Sequence, residues 1–281
     1  METDHPARRL NLAIFTVDLP ESNAITQQVI SQFPSQVSGV IRSRSLQQGK
    51  STWESLKYLV PRSGPLLASK AVEKAACHVV APTLRMMGRV PRTAPLQQIA
   101  NAHDLPLKST NNVNSVFIRE LLESWQTDLI VSIYMNQILN RELIEAMPVG
   151  AINVHPALLP NHRGILPYVW AMADDDQQTG VTVHWIDERI DTGAIIQQQT
   201  TPIHSGESML SLSHRCADIA GNLLVTAIED IQRGSRTCIK QAAEKGSYHS
   251  WPDRACLRRC RKNRHPYFTI GEIWRELART A

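Results

Sequence analysis

A strand, a helix and a second strand follow one another in residues 128–155, DLIVSIYMNQILNRELIEAMPVGAINVH. The run DLIVSIY at 128–134 is short, apolar and rich in β-branched residues, which predicts a buried strand. Asn140 is a suitable N-cap for a short helix over NRELIEAMP. The run GAINVHPAL then predicts a strand that ends in a proline-rich turn. Such an alternation predicts parallel strands joined by right-handed crossovers.

The rest of the chain extends this pattern. The run LNLAIFTV at 10–17 predicts another buried strand, and a helix through ESNAITQQVISQF leads to a strand at 36–41. A helix over 93–104, a short strand at PLKST and an amphipathic helix at VNSVFIRELLESWQ come next. Beyond Gly180, two strand-like runs separated by ERIDTG predict a hairpin, and a long helix over 207–233 closes the domain. We therefore predict an α/β fold with a Rossmann-like, mostly parallel sheet.

Residues 45–92 interrupt this scheme, because a plain crossover needs far less chain. The segment predicts two basic amphipathic helices, around 51–60 and 66–81. The prolines that break them are Pro61, Pro65 and Pro82. From residue 42 to residue 92, ten Lys or Arg face only two acidic residues, a local net charge of +8 in a chain of net charge +4. We expect this insertion to be a helical lid with a solvated face, or a contact surface for an anionic membrane or an anionic acceptor.

Residues 235–281 predict a short basic C-terminal extension after a catalytic domain at 8–234. The extension contains a linker, the stretch Tyr248–Pro252, a basic helix and a short terminal helix. Four of its residues are of the types that bind zinc: His249, Cys256, Cys260 and His265. The C-x₃-C spacing is unusual for a structural zinc site and instead fits a basic helix with two small residues facing inward. We expect no metal, and the five scattered cysteines predict reduced thiols.

Composition narrows the class of protein. Hydrophobic residues make up 42% of the chain and charged residues 20%, which is typical of a globular domain. The sequence contains no apolar run long enough for a transmembrane helix, and its first residues, METDHPARRL, lack the apolar segment of a secretory signal. A cytoplasmic location is the expectation.

Polar side chains lie at the end of the predicted strand at 150–155. Asn153 and His155 are two residues apart, so both side chains point to the same face of a strand. An amide can donate to a developing oxyanion, and an imidazole can move a proton near neutral pH. Asp191 lies in the turn RIDTG and supplies a carboxylate. On spacing alone, Asn-x-His on a strand is more often a local hydrogen-bonding pair than a catalyst, and Asp-Thr-Gly is commonly an ordinary hairpin turn.

Two segments decide between these interpretations: GAINVHPALLPNHRGILP at 150–167 and TGVTVHWIDERIDTG at 179–193. In order and spacing they resemble the signature of the 10-formyltetrahydrofolate-dependent formyltransferases, which include methionyl-tRNA, glycinamide-ribonucleotide and sugar-amine formyltransferases. The resemblance is close over 125–205 and looser over 8–41 and 93–124. It implies the formyltransferase fold and 10-formyltetrahydrofolate as co-substrate.

The resemblance also implies the catalytic residues. The family's catalytic Asn, His and Asp correspond to Asn153, His155 and Asp191. An acceptor amine would attack the formyl carbon, and the Asn153 amide and a protonated His155 would stabilise the oxyanion. Asp191 would hold His155 charged and relay protons.

In this family the folate's pterin enters a pocket formed by two backbone stretches. The matching residues are Met135, Asn136, Gln137, Ile138 and Leu139 in the first stretch, and Asp187 and Ile190 in the second. Ile138 and Leu139 would pack on the pterin ring, and both also fit ordinary core positions. The loop after the catalytic strand supplies Pro160, Arg163 and Gly164, which would contact the acceptor or the folate tail, or form a surface turn.

Two departures from the family bear on the acceptor. The stretch Thr16–Pro20 after the first strand contains no glycine, which disfavours a backbone phosphate cradle and a ribonucleotide acceptor. About 48 residues follow the closing helix, too few for the β-barrel of the methionyl-tRNA enzymes, so a tRNA acceptor is disfavoured although basic segments could meet phosphates.

A small-molecule amine acceptor is therefore the leading prediction, with methionyl-tRNA as the alternative. A 10-formyltetrahydrofolate hydrolase would pass the formyl group to water, but such enzymes usually carry a regulatory domain before the first strand. A non-catalytic binding module is disfavoured because Asn153, His155 and Asp191 are all present.

Overall fold

The structure is a computed structural model that describes residues 8–86, 91, 93–235, 237–269, 271–273 and 275. Its strands are β1 (Leu12–Thr16), β2 (Val37–Ser43), β3 (Leu107–Thr110), β4 (Leu129–Ile133), β5 (Gly150–His155), β6 (Arg163–Gly164), β7 (Gln178–Trp185), β8 (Ile195–Pro202) and β9 (Tyr248–His249). Its helices are α1 (Pro20–Gln32), α2 (Thr52–Met86), α3 (Leu96–Ala102), α4 (Val116–Ser124), α5 (Arg141–Glu145), α6 (Pro167–Ala173), α7 (Met209–Gln232) and α8 (Arg254–Lys262).

Seven of the strands form one sheet in the order β3-β2-β1-β4-β5-β7-β8. The strands from β3 to β5 in this order are parallel, β7 runs antiparallel to β5, and β8 runs antiparallel to β7. The prediction of an α/β fold with a mostly parallel sheet is confirmed, and so is the hairpin beyond Gly180. The two remaining strands, β6 and β9, pair with each other in a separate parallel ladder.

Helices cover both faces of the sheet, because successive side chains of a strand point to opposite faces. In β1, Leu12 and Ile14 pack on the face covered by α1, α6 and α7, whereas Ala13 and Phe15 pack on the face covered by α4 and α5. All four side chains are buried. The carboxyl ends of the parallel strands are therefore the edge of the sheet that remains open to a ligand.

Side chains that cap the helices define their first turns. The Asn140 Oδ1 atom accepts a hydrogen bond from the Leu143 amide at 3.0 Å, which confirms Asn140 as the N-cap of α5. In the basic helix α8, Asp253 caps the first turn, and Cys256 and Cys260 are buried as expected for inward-facing residues. His265 donates from Nδ1 to the Glu207 carbonyl at 2.8 Å, so it has a partner outside the group considered for zinc.

The insertion forms two helical segments of α2, as predicted, and they meet at a bend at Ser63, whose φ of −120° and ψ of 17° are not helical. The second segment corrects one predicted boundary, because it continues past Pro82 to Met86. Pro61 and Pro65 flank the bend, and Pro65 lies in the first turn of the second segment, where a backbone N–H is not needed. Residues 87–90 and 92, at the end of the predicted insertion, lie outside the described residues, as do residues 276–281 of the predicted terminal helix.

The two faces of α2 differ in exposure. Leu59, Leu66 and Cys77 are buried against the rest of the protein, whereas Trp53 and Val79 are exposed. No helix among the described residues has both the length and the apolar character needed to cross a membrane. Contact of α2 with an anionic membrane surface stays a prediction.

The core predicts a large stability difference between two sites on α7. Leu224 is fully buried, and Leu224→Ala should lower the free energy of unfolding by about 2–5 kcal/mol through lost burial and a cavity. Thr226 is exposed on the same helix, and Thr226→Ala should change it by less than about 0.5 kcal/mol. Urea unfolding of both variants tests the assignment, and equal effects would contradict the packing of α7.

Candidate active site

Three side chains lie in one row across the centre of the sheet. Ser132 on β4 is in register with Asn153 on β5, which is in register with His184 on β7. The Ser132 hydroxyl donates to Asn153 Oδ1 at 2.9 Å, and this fixes which end of the amide bears the hydrogens. The Asn153 Nδ2 atom then donates to His184 Nε2 at 3.2 Å. One of the two amide hydrogens is thereby engaged, and the other is available to a substrate.

His184 was not predicted as a site residue, although it lies within the segment 179–193. Its Nδ1 atom donates to the Trp185 carbonyl at 2.8 Å, which leaves Nε2 with the lone pair that Asn153 uses. The Nε2 atom also lies 3.6 Å from Asp191 Oδ1. The signal in the sequence was the alternation in Thr182-Val-His184, which places His184 on the same face of β7 as Thr182.

His155 is held between a carbonyl and a carboxylate. Its Nε2 atom donates to the His162 carbonyl at 2.9 Å, and its Nδ1 atom lies 3.6 Å from Asp191 Oδ2. Burial lowers the pKa of His155 below its ordinary value, an effect larger than the opposing influence of Asp191. Burial therefore favours a neutral imidazole in the free site, with its lone pair on Nδ1 because Nε2 donates to His162. Protonation of His155 during the reaction stays a prediction.

Asp191 occupies a left-handed backbone conformation with φ of 53°, which Asp tolerates better than most residues. The Gly164 amide donates to its Oδ2 atom at 2.9 Å. Burial alone would raise the pKa of Asp191, but the positive charge of His155, when that imidazole is protonated, and the contacts of His184 and Gly164 hold the pKa well below its usual range. The carboxylate is therefore ionised throughout the range in which His155 titrates.

A strap formed by residues 247–252 lies beside the catalytic loop. Strand β9 of this strap pairs with β6, and a Cβ atom on Gly164 would lie 2.0 Å from the His249 carbonyl oxygen. Gly164 also has φ of 102°, so only glycine fits here. The strap is tied to the bend of α2, because the Ser63 hydroxyl donates to the Pro252 carbonyl. Next to it, Arg254 Nε donates to the Pro61 carbonyl at 2.6 Å.

One cavity of about 720 Å³ brings these groups together. Asn153, His155, His184 and Asp191 line it, and so does every residue predicted for the folate pocket: Met135, Asn136, Gln137, Ile138, Leu139, Asp187 and Ile190. Of the loop residues predicted to meet the acceptor or the folate tail, Gly164 lines the cavity. Arg163 pairs instead with Tyr248 in the β6–β9 ladder, and Pro160 follows a cis peptide bond; neither is among the described lining residues.

The two candidates for packing on the pterin differ. Leu139 is buried with the core on the α4–α5 face, whereas Ile138 is 45% exposed and is not a core residue. The Ile138 backbone is already engaged, since its amide donates to Gln48 Oε1 at 2.8 Å and its carbonyl accepts from Asn114 Nδ2 at 2.9 Å. A pterin would therefore have to use other backbone groups of 135–139.

Two groups of described side chains have metal-binding types within 4.8 Å of one another: His162, Asp174 and His249, and Glu21, Glu73 and His214. In the first group, Asp174 already pairs with Arg259 at 2.8 Å. In the second, Lys70 lies 2.6 Å from Glu21 and 3.1 Å from Glu73. A protein cation already pairs with each carboxylate of both groups, which disfavours a metal ion at either.

Comparison with known proteins assigns the family. The profile of the formyl transferase family matches residues 68–228, more than half of the chain, and this range contains Asn153, His155, His184 and Asp191. The chain belongs to this family. The members are folate-dependent N-formyltransferases.

Individual relatives differ in their acceptors. The chain is 31% identical over 203 residues to a methionyl-tRNA formyltransferase of Anaplasma marginale, covering 72% of this chain and 66% of that protein. It spans about half the length of further methionyl-tRNA formyltransferases, such as 44% of the Pelobacter propionicus protein. An N-formyltransferase from Helicobacter canadensis, solved with folinic acid and dTDP-3-aminofucose, shares the fold with a TM-score of 0.57 and 19% identity, covering 86% of this chain and 71% of that one.

The charge state of His155 predicts a pH profile. The His155 imidazole should titrate below pH 6.5, and kcat/KM should fall as pH falls through that pKa because the free base is lost. In Asp191→Asn the pKa should fall further, since Asp191 raises it. NMR titration of the imidazole, assigned through His155→Gln, measures both. A titration midpoint above 6.5 in the wild type would contradict the assignment.

The row across the sheet predicts a role for Ser132 in orienting Asn153. Ser132→Ala removes the donor to Asn153 Oδ1, so the amide can turn over and kcat should fall about 10-fold, a fraction of the effect of losing an oxyanion donor. Ser124 also bears a hydroxyl but lies on the exposed end of α4, and Ser124→Ala should leave kcat unchanged. Steady-state kinetics distinguish the two, and unchanged kcat in Ser132→Ala would refute the orienting role.

Proposed function

We propose that this chain transfers the formyl group of 10-formyltetrahydrofolate to the amine of a small molecule. The observation that carries the proposal is the convergence of the Asn153 amide, the His155 lone pair and the Asp191 carboxylate on one cavity. An acyl-transfer site requires an oxyanion donor, a base and a group that stabilises the protonated base. The family assignment supports the donor, because its members are folate-dependent.

The residues suggest a route for each atom. The acceptor nitrogen attacks the formyl carbon, and the free hydrogen of the Asn153 amide donates to the oxyanion that forms. His155 Nδ1 takes the proton released by the attacking nitrogen, and the resulting imidazolium is stabilised by Asp191 at 3.6 Å. The same proton can pass to N10 of the folate as the bond from the formyl carbon to N10 breaks. A neutral His155 in the free site suits this route, since it must accept a proton before it donates one.

The region after β1 supports a small acceptor without a phosphate cradle. Asp18 is held there by Asn23 at 2.9 Å, by the Leu96 amide at 3.2 Å and by Lys74 at 3.2 Å. The Asp18 carboxylate thus already engages the Leu96 amide and, with Arg42 at 3.6 Å, the cations that a phosphate would need. Methionyl-tRNA remains the second candidate, favoured by the 31% identity to the Anaplasma marginale enzyme.

The proposal predicts the effect of removing the oxyanion donor. Asn153→Ala should lower kcat by about 10²–10³, by analogy with other acyl-transfer sites. The assay follows tetrahydrofolate release from 10-formyltetrahydrofolate with and without added amines, and the mass of the product identifies the acceptor. Rapid release in buffer alone would favour a hydrolase instead. A product mass of formyl-methionyl-tRNA would decide for the second candidate.

A further inference from the structure

The loop after β5 contacts both the imidazole and the carboxylate of the site through its backbone. The His162 carbonyl accepts a hydrogen bond from His155 Nε2 at 2.9 Å. Two residues further on, the Gly164 amide donates to Asp191 Oδ2 at 2.9 Å. The His155 Nδ1 and Asp191 Oδ2 atoms lie 3.6 Å apart. The backbone conformation of this loop therefore determines how the imidazole and the carboxylate face each other.

The intervening residues of the same loop contact the strap. The Arg163 amide donates to the Ser247 carbonyl at 2.9 Å, and the Ile165 amide donates to the His249 carbonyl at 3.0 Å. Alternate residues of the loop thus face the catalytic groups and the strap in turn, as in a strand with a different neighbour on each side. The strap is therefore the outer support of the loop that holds the catalytic groups.

Ser247 binds two consecutive peptide groups of the loop. Its hydroxyl oxygen accepts from the His162 amide at 2.8 Å, and its carbonyl oxygen accepts from the Arg163 amide at 2.9 Å. The Arg163 amide and the His162 carbonyl belong to one planar peptide group. That peptide group donates to the strap on one side and accepts from His155 on the other. Holding its amide therefore fixes the direction of the carbonyl that His155 contacts.

The backbone conformation of His162 needs this support. Its φ of 51° lies in the left-handed region, which is unfavourable for a residue with a side chain. The imidazole is also held, because Nε2 lies 2.7 Å from Asp176 Oδ2 and the ring stacks on that of His249 with centroids 5.2 Å apart. His249 stacks in turn on Trp170 at 4.4 Å. Without the strap, the loop would be free to relax and the His162 carbonyl to turn away from the catalytic imidazole.

Two acceptors compete for the single ring proton of a neutral His155. The His162 carbonyl faces Nε2, and the Asp191 carboxylate lies near Nδ1. A carboxylate is the stronger acceptor, so charge alone would place the proton on Nδ1 and leave no lone pair there. The distances reverse this preference, because 2.9 Å is a hydrogen bond and 3.6 Å is too long for one. A free base at Nδ1 therefore depends on the position of the His162 carbonyl.

We propose that Ser247 is a positioning residue that fixes the tautomer of His155. By holding the peptide group between His162 and Arg163, it keeps the proton on Nε2 and the lone pair on Nδ1, where the proposed reaction needs a base. Ser247 acts through the loop and lies outside residues 68–228, the range that matches the family profile. The kinetic consequence rests on the proposed function, whereas the tautomer is a property of the free protein.

The test measures the tautomer of His155 by NMR in the protein without substrate. Long-range proton–nitrogen correlation spectra of protein labelled in its histidines distinguish a ring nitrogen that bears a proton from one that bears a lone pair. The spectra are recorded at about pH 8, where the imidazole is neutral, and His155→Gln assigns the signals. In the wild type, Nε2 should bear the proton and Nδ1 the lone pair. A proton on Nδ1 of the wild type would overturn the proposal.

Two variants loosen the support to different degrees. Ser247→Ala removes only the hydroxyl that accepts from the His162 amide, and the Nδ1 signal should move part of the way towards the protonated range. Gly246→Ala displaces the strap, because a Cβ atom there would lie 1.9 Å from the Pro160 carbonyl oxygen, and the signal should move further. Ser247→Thr keeps the hydroxyl and should keep the wild-type shift. Gly271→Ala is the matched control for the glycine variant, since a Cβ atom there meets no atom within 4 Å.

The outcomes separate the positioning role from the proposed function. An unchanged Nδ1 shift in both Ser247→Ala and Gly246→Ala refutes the positioning role. In the formyl-transfer assay, kcat of Ser247→Ala should fall about 10-fold, a part of the contribution of a general base, and Ser247→Thr should restore it. A changed tautomer with an unchanged kcat would refute the importance of the tautomer for the reaction. If the wild type transfers no formyl group while the variants change the tautomer as expected, the proposed function fails and the positioning of His155 stands.

Discussion

The register of the three central strands is the constraint on which the site depends. Ser132, Asn153 and His184 meet because β4, β5 and β7 are aligned residue for residue at this level of the sheet. A shift of one residue in any of the three strands would turn its side chain to the opposite face. Alternate side chains of β1 and β4 are buried on opposite faces of the sheet, and this burial fixes the register. The packing of the hydrophobic core therefore also determines the orientation of the Asn153 amide.

Burial favours the neutral form of both ionisable groups of the centre, the His155 imidazole and the Asp191 carboxyl group. It decides the state of His155, whereas the hydrogen bond from Gly164 and the contacts with the two imidazoles keep Asp191 ionised. In the free protein, His155 Nδ1 as a free base and the Asp191 carboxylate thus lie 3.6 Å apart. The proton that the reaction releases is accepted at a position already prepared for positive charge, which is how preorganised electrostatics lower a barrier.

Local patterns predicted most of the fold. Short β-branched runs predicted β1, β4 and β5, and Asn140 predicted the start of α5, because these signals depend on neighbouring residues alone. The trio of Asn153, His155 and Asp191 needed a family resemblance, since its spacing is ambiguous. The contribution of His184 and the effect of burial on His155 required coordinates, because each depends on burial or on contacts distant in sequence. Pro61 and Pro65 correctly predicted the break between the two segments of α2, whereas the continuation of the second segment past Pro82 was not predicted.

The link between Ser63 and Pro252 joins residues 189 positions apart in the chain. During synthesis from the N-terminus, α2 emerges long before the strap that holds its bend exists. Until the strap is made, Leu59 and Leu66 of α2, both buried in the folded protein, therefore lack part of their final packing. The strands that carry the catalytic residues are synthesised before the strap. The cavity is therefore one of the last features of the fold to be completed during synthesis.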